Sequence, residues 1–415
     1  MKKILIILIA VISITLVAFF GWYLFLRDPD IPAGETIRNI LPFGSGGDVA
    51  SRPTTNNSQP TTDLTEPVDE FGNPTATLFR LSNTPVAGAV VLDRGNQTIV
   101  RYVDRATGHI YDTDLETLEK TKVTNNTLPK IYEAYFRPDG NAVLLRSLKD
   151  NSDVIENLSL TLTPPKATVS TSSPQASTLY AVSSTALRGD ISAVVAGSGN
   201  TLIYVLRDNS SIVSSTFNGT GAKTLLTSPF TDWRLNTAGN SLIAYTKASA
   251  DAPGYAYALN TSNGVLTKIL GPLNGLTTTQ NSLGNRILYS YVEDNKMRSF
   301  TKNLTSSALS EISPTTLAEK CIWSIKKAGI LFCAAPADAP GALEPDLWYR
   351  GATHFSDRIW LFDTNTDIAR VLAEPKQSLR IDIDVFEPKL SPDEDYLIFI
   401  NKTDLSLWAL RLEAF

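Results

Sequence analysis

The hydrophobic and polar positions of this chain alternate with a period of two over most of its length, and tight turns interrupt them at regular steps. In "YFRPDGNAVLLRS" (Tyr135 to Ser147) an apolar run meets Pro138-Asp139-Gly140-Asn141, and a second apolar run follows. "LSPDEDYLIFINK" (Leu390 to Lys402) has the same layout. Period-two alternation predicts strand rather than helix, and Gly or Asn in the turn supplies the positive φ that a hairpin needs. Turns of this kind recur at Arg94-Gly95-Asn96, Pro138-Asp139-Gly140-Asn141, Ser198-Gly199-Asn200, Ala238-Gly239-Asn240, Leu283-Gly284-Asn285, Lys327-Ala328-Gly329 and Pro392-Asp393-Glu394-Asp395. From Gly199 to Gly239, Gly284 and Gly329 the steps are 40, 45 and 45 residues. That is the period of a four-stranded propeller blade.

Each unit parses further. An apolar strand follows the turn ("TLIYVLRD", "RILYSYVED"). A third comes next ("GHIYDTDLE", "RIWLFDTN"), and a fourth ends near proline ("LLTSP", "KILGP", "VLAEP"). The fold class expected is therefore all-β: a seven-bladed β-propeller of four-stranded antiparallel blades. The last unit ends at Phe415 without a fourth strand, and "TATLFRLSN" (Thr75 to Asn83) has the pattern of one. It is expected to close the ring, which hides the edges of an open sheet. Two units are long. The second carries "PPKATVSTSSPQAS" between its third and fourth strands, and the sixth carries "AAPADAPGALEPDLWYRGATHFSD" between its second and third.

"FRPDGNAVLL" and "LSPDEDYLIF" resemble the repeat of TolB-like and WD40-like β-propellers, whose hairpin reads roughly F-S-P-D-G before an apolar strand. Two of the seven turns match well, four others keep the Gly-Asn, and Lys327-Ala328-Gly329 keeps the Gly alone. The resemblance covers about residues 75–415. It implies a propeller fold and, as the commonest use of such propellers, protein interaction. It carries over no catalytic residue.

The N-terminus breaks the alternation. Met1-Lys2-Lys3 precedes an uncharged apolar run from Ile4 to Leu26. Such a run is about 35 Å long as a helix, against roughly 30 Å for a bilayer core. Aromatic residues fill its far end and no small-x-small cleavage site is visible, so residues 1–27 read as a signal-anchor transmembrane helix, with a cleaved signal peptide the alternative. Lys2 and Lys3 place the N-terminus in the cytoplasm and the bulk of the chain on the extracytoplasmic side of a cell membrane. Residues 28–74 are rich in Gly, Pro, Ser, Thr and Asn and read as a flexible linker to the 75–415 propeller. Leu41-Pro42-Phe43 interrupts the linker, as a docking motif or as a chance apolar cluster.

Setting aside Lys2, Lys3 and Arg27 from the 37 basic residues leaves 34 against 42 acidic ones, with no basic run. Nucleic acid is not the expected partner; a membrane and a protein of the envelope are. Cys321 and Cys333 flank a hairpin and stand nearly opposite each other, as a disulfide or as two buried thiols. Their spacing and the scarcity of histidine exclude a zinc site, and no metal or cofactor is expected. Ser324-Ile325-Lys326-Lys327 matches S-x-x-K by letter but sits in a turn. Asp363 to Asp367 lacks the Gly and Glu of a calcium loop. The richest stretch is "PDLWYRGATHFSDRIW", with Trp348, Tyr349, Arg350, His354, Phe355, Asp357 and Arg358. Trp, Tyr and Arg dominate binding hot spots, so this loop is the candidate interaction site, unless its aromatics only pack it down. The expected function is a membrane-anchored extracytoplasmic binding or scaffolding module of the cell envelope. The alternatives are an exported hydrolase or lyase acting on glycan or peptide through carboxylates of the central channel, and a sensor.

Overall fold

The computed structural model describes residues 77–150, 152–165 and 179–413. The expected membrane segment, the linker and the Leu41-Pro42-Phe43 motif lie outside the described residues. Among the described residues no helix is long and apolar enough to cross a membrane.

The described chain is all-β, in antiparallel sheets. Five sheets have four strands and one has seven. In chain order, sheet 1 covers residues 86–122, sheet 2 131–187, sheet 3 191–226, sheet 4 233–311 and sheet 5 321–373. Sheet 6 covers 385–411, with Leu78–Ser82 paired antiparallel to Leu407–Arg411 as its outermost strand. The first strands of successive sheets pack side by side, and the Val385–Leu390 strand of sheet 6 returns against the Val86–Arg94 strand of sheet 1.

The period-two alternation has a specific cause. Each sheet is packed between two others, so alternate residues of a strand enter two different cores. In Thr201–Leu206, Leu202, Tyr204 and Leu206 pack toward sheet 2, while Ile203 and Val205 pack toward sheet 4. Both sets are buried. Every turn read from the sequence joins the first and second strands of a unit. Gly140 shows why glycine stands there: its φ is +71°, and a Cβ would come within 2.5 Å of Leu92.

Sheet 4 departs from the expected parsing into separate units. "KILGP" does not end its unit. Leu266–Gln280 runs on for 15 residues, pairing first with Pro253–Leu259 and then with Arg286–Glu293. Asn274 has partners on both sides, Pro253 and Val292, and this fuses the two groups of strands. The second long insertion, residues 337–356, joins Ile330–Pro336 to Asp357–Asp363 and contains a single helical turn, Asp346–Tyr349.

Candidate functional site

The 337–356 connection leaves sheet 5 at the end opposite the hairpin turns and is fastened down. Asp346 Oδ2 accepts the Ala250 amide at 2.6 Å, on a loop of sheet 4. Lys402 Nζ, on a loop of sheet 6, donates to the Trp348 carbonyl at 2.7 Å. Trp348 and Phe355 are buried with Met297 and Leu317. The connection therefore crosses this end of sheets 4, 5 and 6. Of the residues singled out in sequence, Trp348, Phe355 and Asp357 are buried, Tyr349 and Arg358 are half-buried, and only Arg350 and His354 are exposed.

Beneath the connection lies a charged group that the sequence did not announce. Lys320 is fully buried and forms ion pairs with Asp357 Oδ2 at 2.7 Å and with Asp384 Oδ1. The Trp348 indole donates to both Asp384 oxygens at 3.0 Å, and Lys320 Nζ lies 4.6 Å from the Phe355 ring centroid. His354 Nδ1 reaches within 3.8 Å of Asp384 Oδ2 from the solvent side. One lysine cannot neutralise two buried carboxylates. Burial pushes the Asp357 carboxyl up to about 6 against the pull of Lys320, and the Asp384 charge adds to the rise. Asp357 Oδ1 has no hydrogen-bond partner among the described residues. Burial lowers the Lys402 ammonium, opposed by Asp384. Pairing and desolvation make this group a fastening.

The open space is elsewhere. A channel of about 550 Å³ runs between the first strands of all the sheets. Pro138, Ser282 and Ile325 bring it to the hairpin-turn end, where Ile325 is 58% exposed. Deeper in the wall stand Tyr135, Tyr245, Glu319, Glu387 and Lys389. Glu319 Oε1 accepts the hydroxyls of Tyr245 at 2.9 Å and Tyr349 at 2.8 Å, so the fastened connection hydrogen-bonds a carboxylate of the channel wall. Burial pushes the Glu319 carboxyl up against both of these hydrogen bonds, and pushes both tyrosines up as well.

Glu387 sits in a register shift of the Val385–Leu390 strand with φ +51°, a left-handed conformation that holds a non-glycine residue only where its surroundings enforce it. Lys389 Nζ lies 3.6 Å from its Oε2 and donates to the Ala89 carbonyl at 2.6 Å. Burial raises the Glu387 carboxyl, Lys389 opposes this, and Glu133 adds to it. Glu133 Oε2 in turn accepts from Arg146 Nη1 at 2.5 Å and from the Tyr135 hydroxyl at 3.2 Å. Sequence reasoning foresaw channel carboxylates as a type but named none. An acidic residue inside "DVFEPKLSP" is invisible to periodicity, because a register shift removes the strand alternation that would have flagged it.

Cys321 and Cys333 are paired in register, with Cα atoms 4.1 Å apart, and are joined by a disulfide. Ser324 and the 325–326 amides are held by Glu394, a turn contact between sheets 5 and 6. Asp363 accepts the Asn365 amide and the Thr366 hydroxyl, as a turn does. Among the described residues no group of three or more His, Cys, Asp or Glu is placed to hold a metal ion.

A closed succession of antiparallel, mostly four-stranded sheets around a channel defines a β-propeller. Solved structures share the fold. An oligogalacturonate lyase from Vibrio parahaemolyticus matches at 11% identity and TM-score 0.50, over 81% of this chain and 93% of that one. An oligogalacturonate lyase in complex with manganese matches at 12% identity and TM-score 0.50, over 81% and 93%. Hydrazine synthase of Kuenenia stuttgartiensis matches at 10% identity and TM-score 0.50, over 80% and 97%. At such identities the likeness is one of fold alone. No protein-family model matches the chain, and no curated protein does.

Proposed function

We propose that this chain is a binding or scaffolding module: a seven-bladed propeller held to a membrane by residues 1–27, with the propeller on the extracytoplasmic side of a cell envelope. Seven is the count when sheet 4 is taken as two blades that share Leu266–Gln280. The apolar run from Ile4 to Leu26 supports the anchor, and Lys2 and Lys3 support the orientation.

One observation carries the choice of site. The aromatic residues of the 337–356 connection are engaged in fastening it, whereas the channel stays open at the hairpin-turn end with Ile325 on its rim and tyrosines and carboxylates within. A pocket of this mixed lining, reached past an exposed apolar residue, suits a protein segment that inserts one side chain. The partner is accordingly expected at the turn end.

A photo-crosslinker at position 325 in intact membranes should capture a discrete protein, and Glu387→Gln should weaken the capture. A crosslinker at position 350 should capture none. Capture from 350 and not from 325, in exported and folded protein, would move the site back to the 337–356 connection.

A second reading is favoured by Glu387 itself. A strained carboxyl with a raised pKa beside Glu133 and Tyr135 has the form of an acid–base pair. An exported hydrolase or lyase acting on glycan or peptide would use them so. Turnover of a glycan or peptide library by the wild type, abolished in Glu387→Gln, would establish it.

A further inference from the structure

Among the described residues the outer strand of each sheet has a strand neighbour on one side only, and such an edge pairs with other strands unless something blunts it. Most outer strands here are blunted. Lys120–Lys122 is three residues long with two lysines, and Leu309–Glu311 is three residues long and ends in an acid. Lys223–Leu226 begins with lysine and has a register shift against its neighbour. Ile368–Ala373 carries Arg370 and a shift, and Leu78–Ser82 carries Arg80 and a shift. The outer part of Leu266–Gln280 carries Lys268 and two shifts.

Ala181–Leu187 of sheet 2 has none of these devices. It is seven residues long, "AVSSTAL", uncharged, without proline, and mostly exposed. Its register against Ile155–Thr163 is unbroken over seven pairs, from Asn157 opposite Leu187 to Thr163 opposite Ala181. Among the described residues that neighbour is its only strand partner.

The order of side chains says which strand fits. Read from either end it runs apolar, apolar, hydroxyl, hydroxyl, hydroxyl, apolar, apolar, centred on Ser184. Placed antiparallel against a copy of itself about a two-fold axis at Ser184, it sets Ala181 opposite Leu187, Val182 opposite Ala186, Ser183 opposite Thr185 and Ser184 opposite Ser184. Like meets like at every pair, which is the arrangement that cross-strand pairing favours and that an isologous interface requires. We propose that Ala181–Leu187 is a self-pairing edge, by which two copies of this chain join their second sheets into one continuous eight-stranded sheet. A single strand pair falls short of the roughly 1,200–2,000 Å² of a standard stable interface, so the dimer is reversible and concentration-dependent.

The test uses the full-length chain in detergent at up to about 100 μM, a range that captures weak dimers. Ser184→Cys under mild oxidation should give a covalent dimer, because residues facing across an antiparallel pair have Cα atoms about 4.5–5.5 Å apart. Ser306→Cys, also exposed but on a sheet 4 turn, should not. Ser184→Lys and Ser184→Glu should each weaken self-association about tenfold or more by setting like charges face to face, and mixing the two should restore it. Neither change touches a buried group, so the far-UV spectrum and melting temperature should stay as in the wild type. A monomer throughout this range, association insensitive to Ser184→Lys, or a foreign protein captured by the Ser184→Cys variant in place of a second copy would each overturn the proposal.

Discussion

The two ends of the ring are made by the same strands and finished in opposite ways. At one end, short turns connect first to second strands, six with glycine at a positive φ and the seventh with Glu394 there, and leave the channel open. At the other, the 337–356 connection lies across three sheets and is held by Lys320, Asp357, Asp384 and Trp348, all buried. The turn end needs only local backbone geometry. The fastened end places a charge group where water cannot reach it, so its integrity depends on each member keeping its partners. In the richest run of binding-type residues, Trp348 and Phe355 thus pack the connection down, while Arg350 and His354 stay exposed.

That contrast can be tested by graded substitutions. The largest effect is expected from Lys320→Met, which leaves Asp357 and Asp384 facing each other unpaired. Urea unfolding should show a loss of about 3–5 kcal/mol. Next comes pH. The Asp357 carboxyl is raised in the folded state, so the folded protein holds a proton that the unfolded chain has released. Stability is then fully present below the ordinary aspartate value of 3.8 and falls as pH rises through about 6. As pH rises across that range, the melting temperature of the wild type should fall relative to that of Asp357→Asn. Trp348→Phe keeps most of the packing and removes the indole hydrogen bonds to Asp384, for a loss of about 1.5–3 kcal/mol. Limited proteolysis within 337–356 should accelerate with it. At the open end, Ile325→Ser should change unfolding free energy by less than about 0.5 kcal/mol, since that side chain is exposed. A large loss there, or a small one for Lys320→Met, would break the distinction between the two ends.

Some of this was legible in the chain and some was not. The hairpins were, because a tight turn writes its requirement into four adjacent residues, as at Pro138-Asp139-Gly140-Asn141. The places of both insertions followed from counting strands. The fusion of two units through Leu266–Gln280 was not legible, because Pro272 reads locally as a terminator and only the paired neighbours on both sides carry the strand past it. Trp348 was legible as important but not in its role: an aromatic residue in a loop looks the same in sequence whether it waits for a partner or covers a lysine. Glu387 carried no signal at all, since its register shift is a property of two strands and not of one.

The all-β class, the repeat and the turn chemistry are written in the chain. They rest on interactions between residues close together along it, and alternation records which side of a strand is apolar. Which end of the ring carries the fastened connection, which carboxylates share Lys320 and which enter the channel became determinate with folding. Lys320, Asp357 and Asp384 are separated by tens of residues and meet because different parts of the ring deliver them to one point. The electrostatic cost of burying them, and the pKa shift that follows, exist only once water has been excluded from that point.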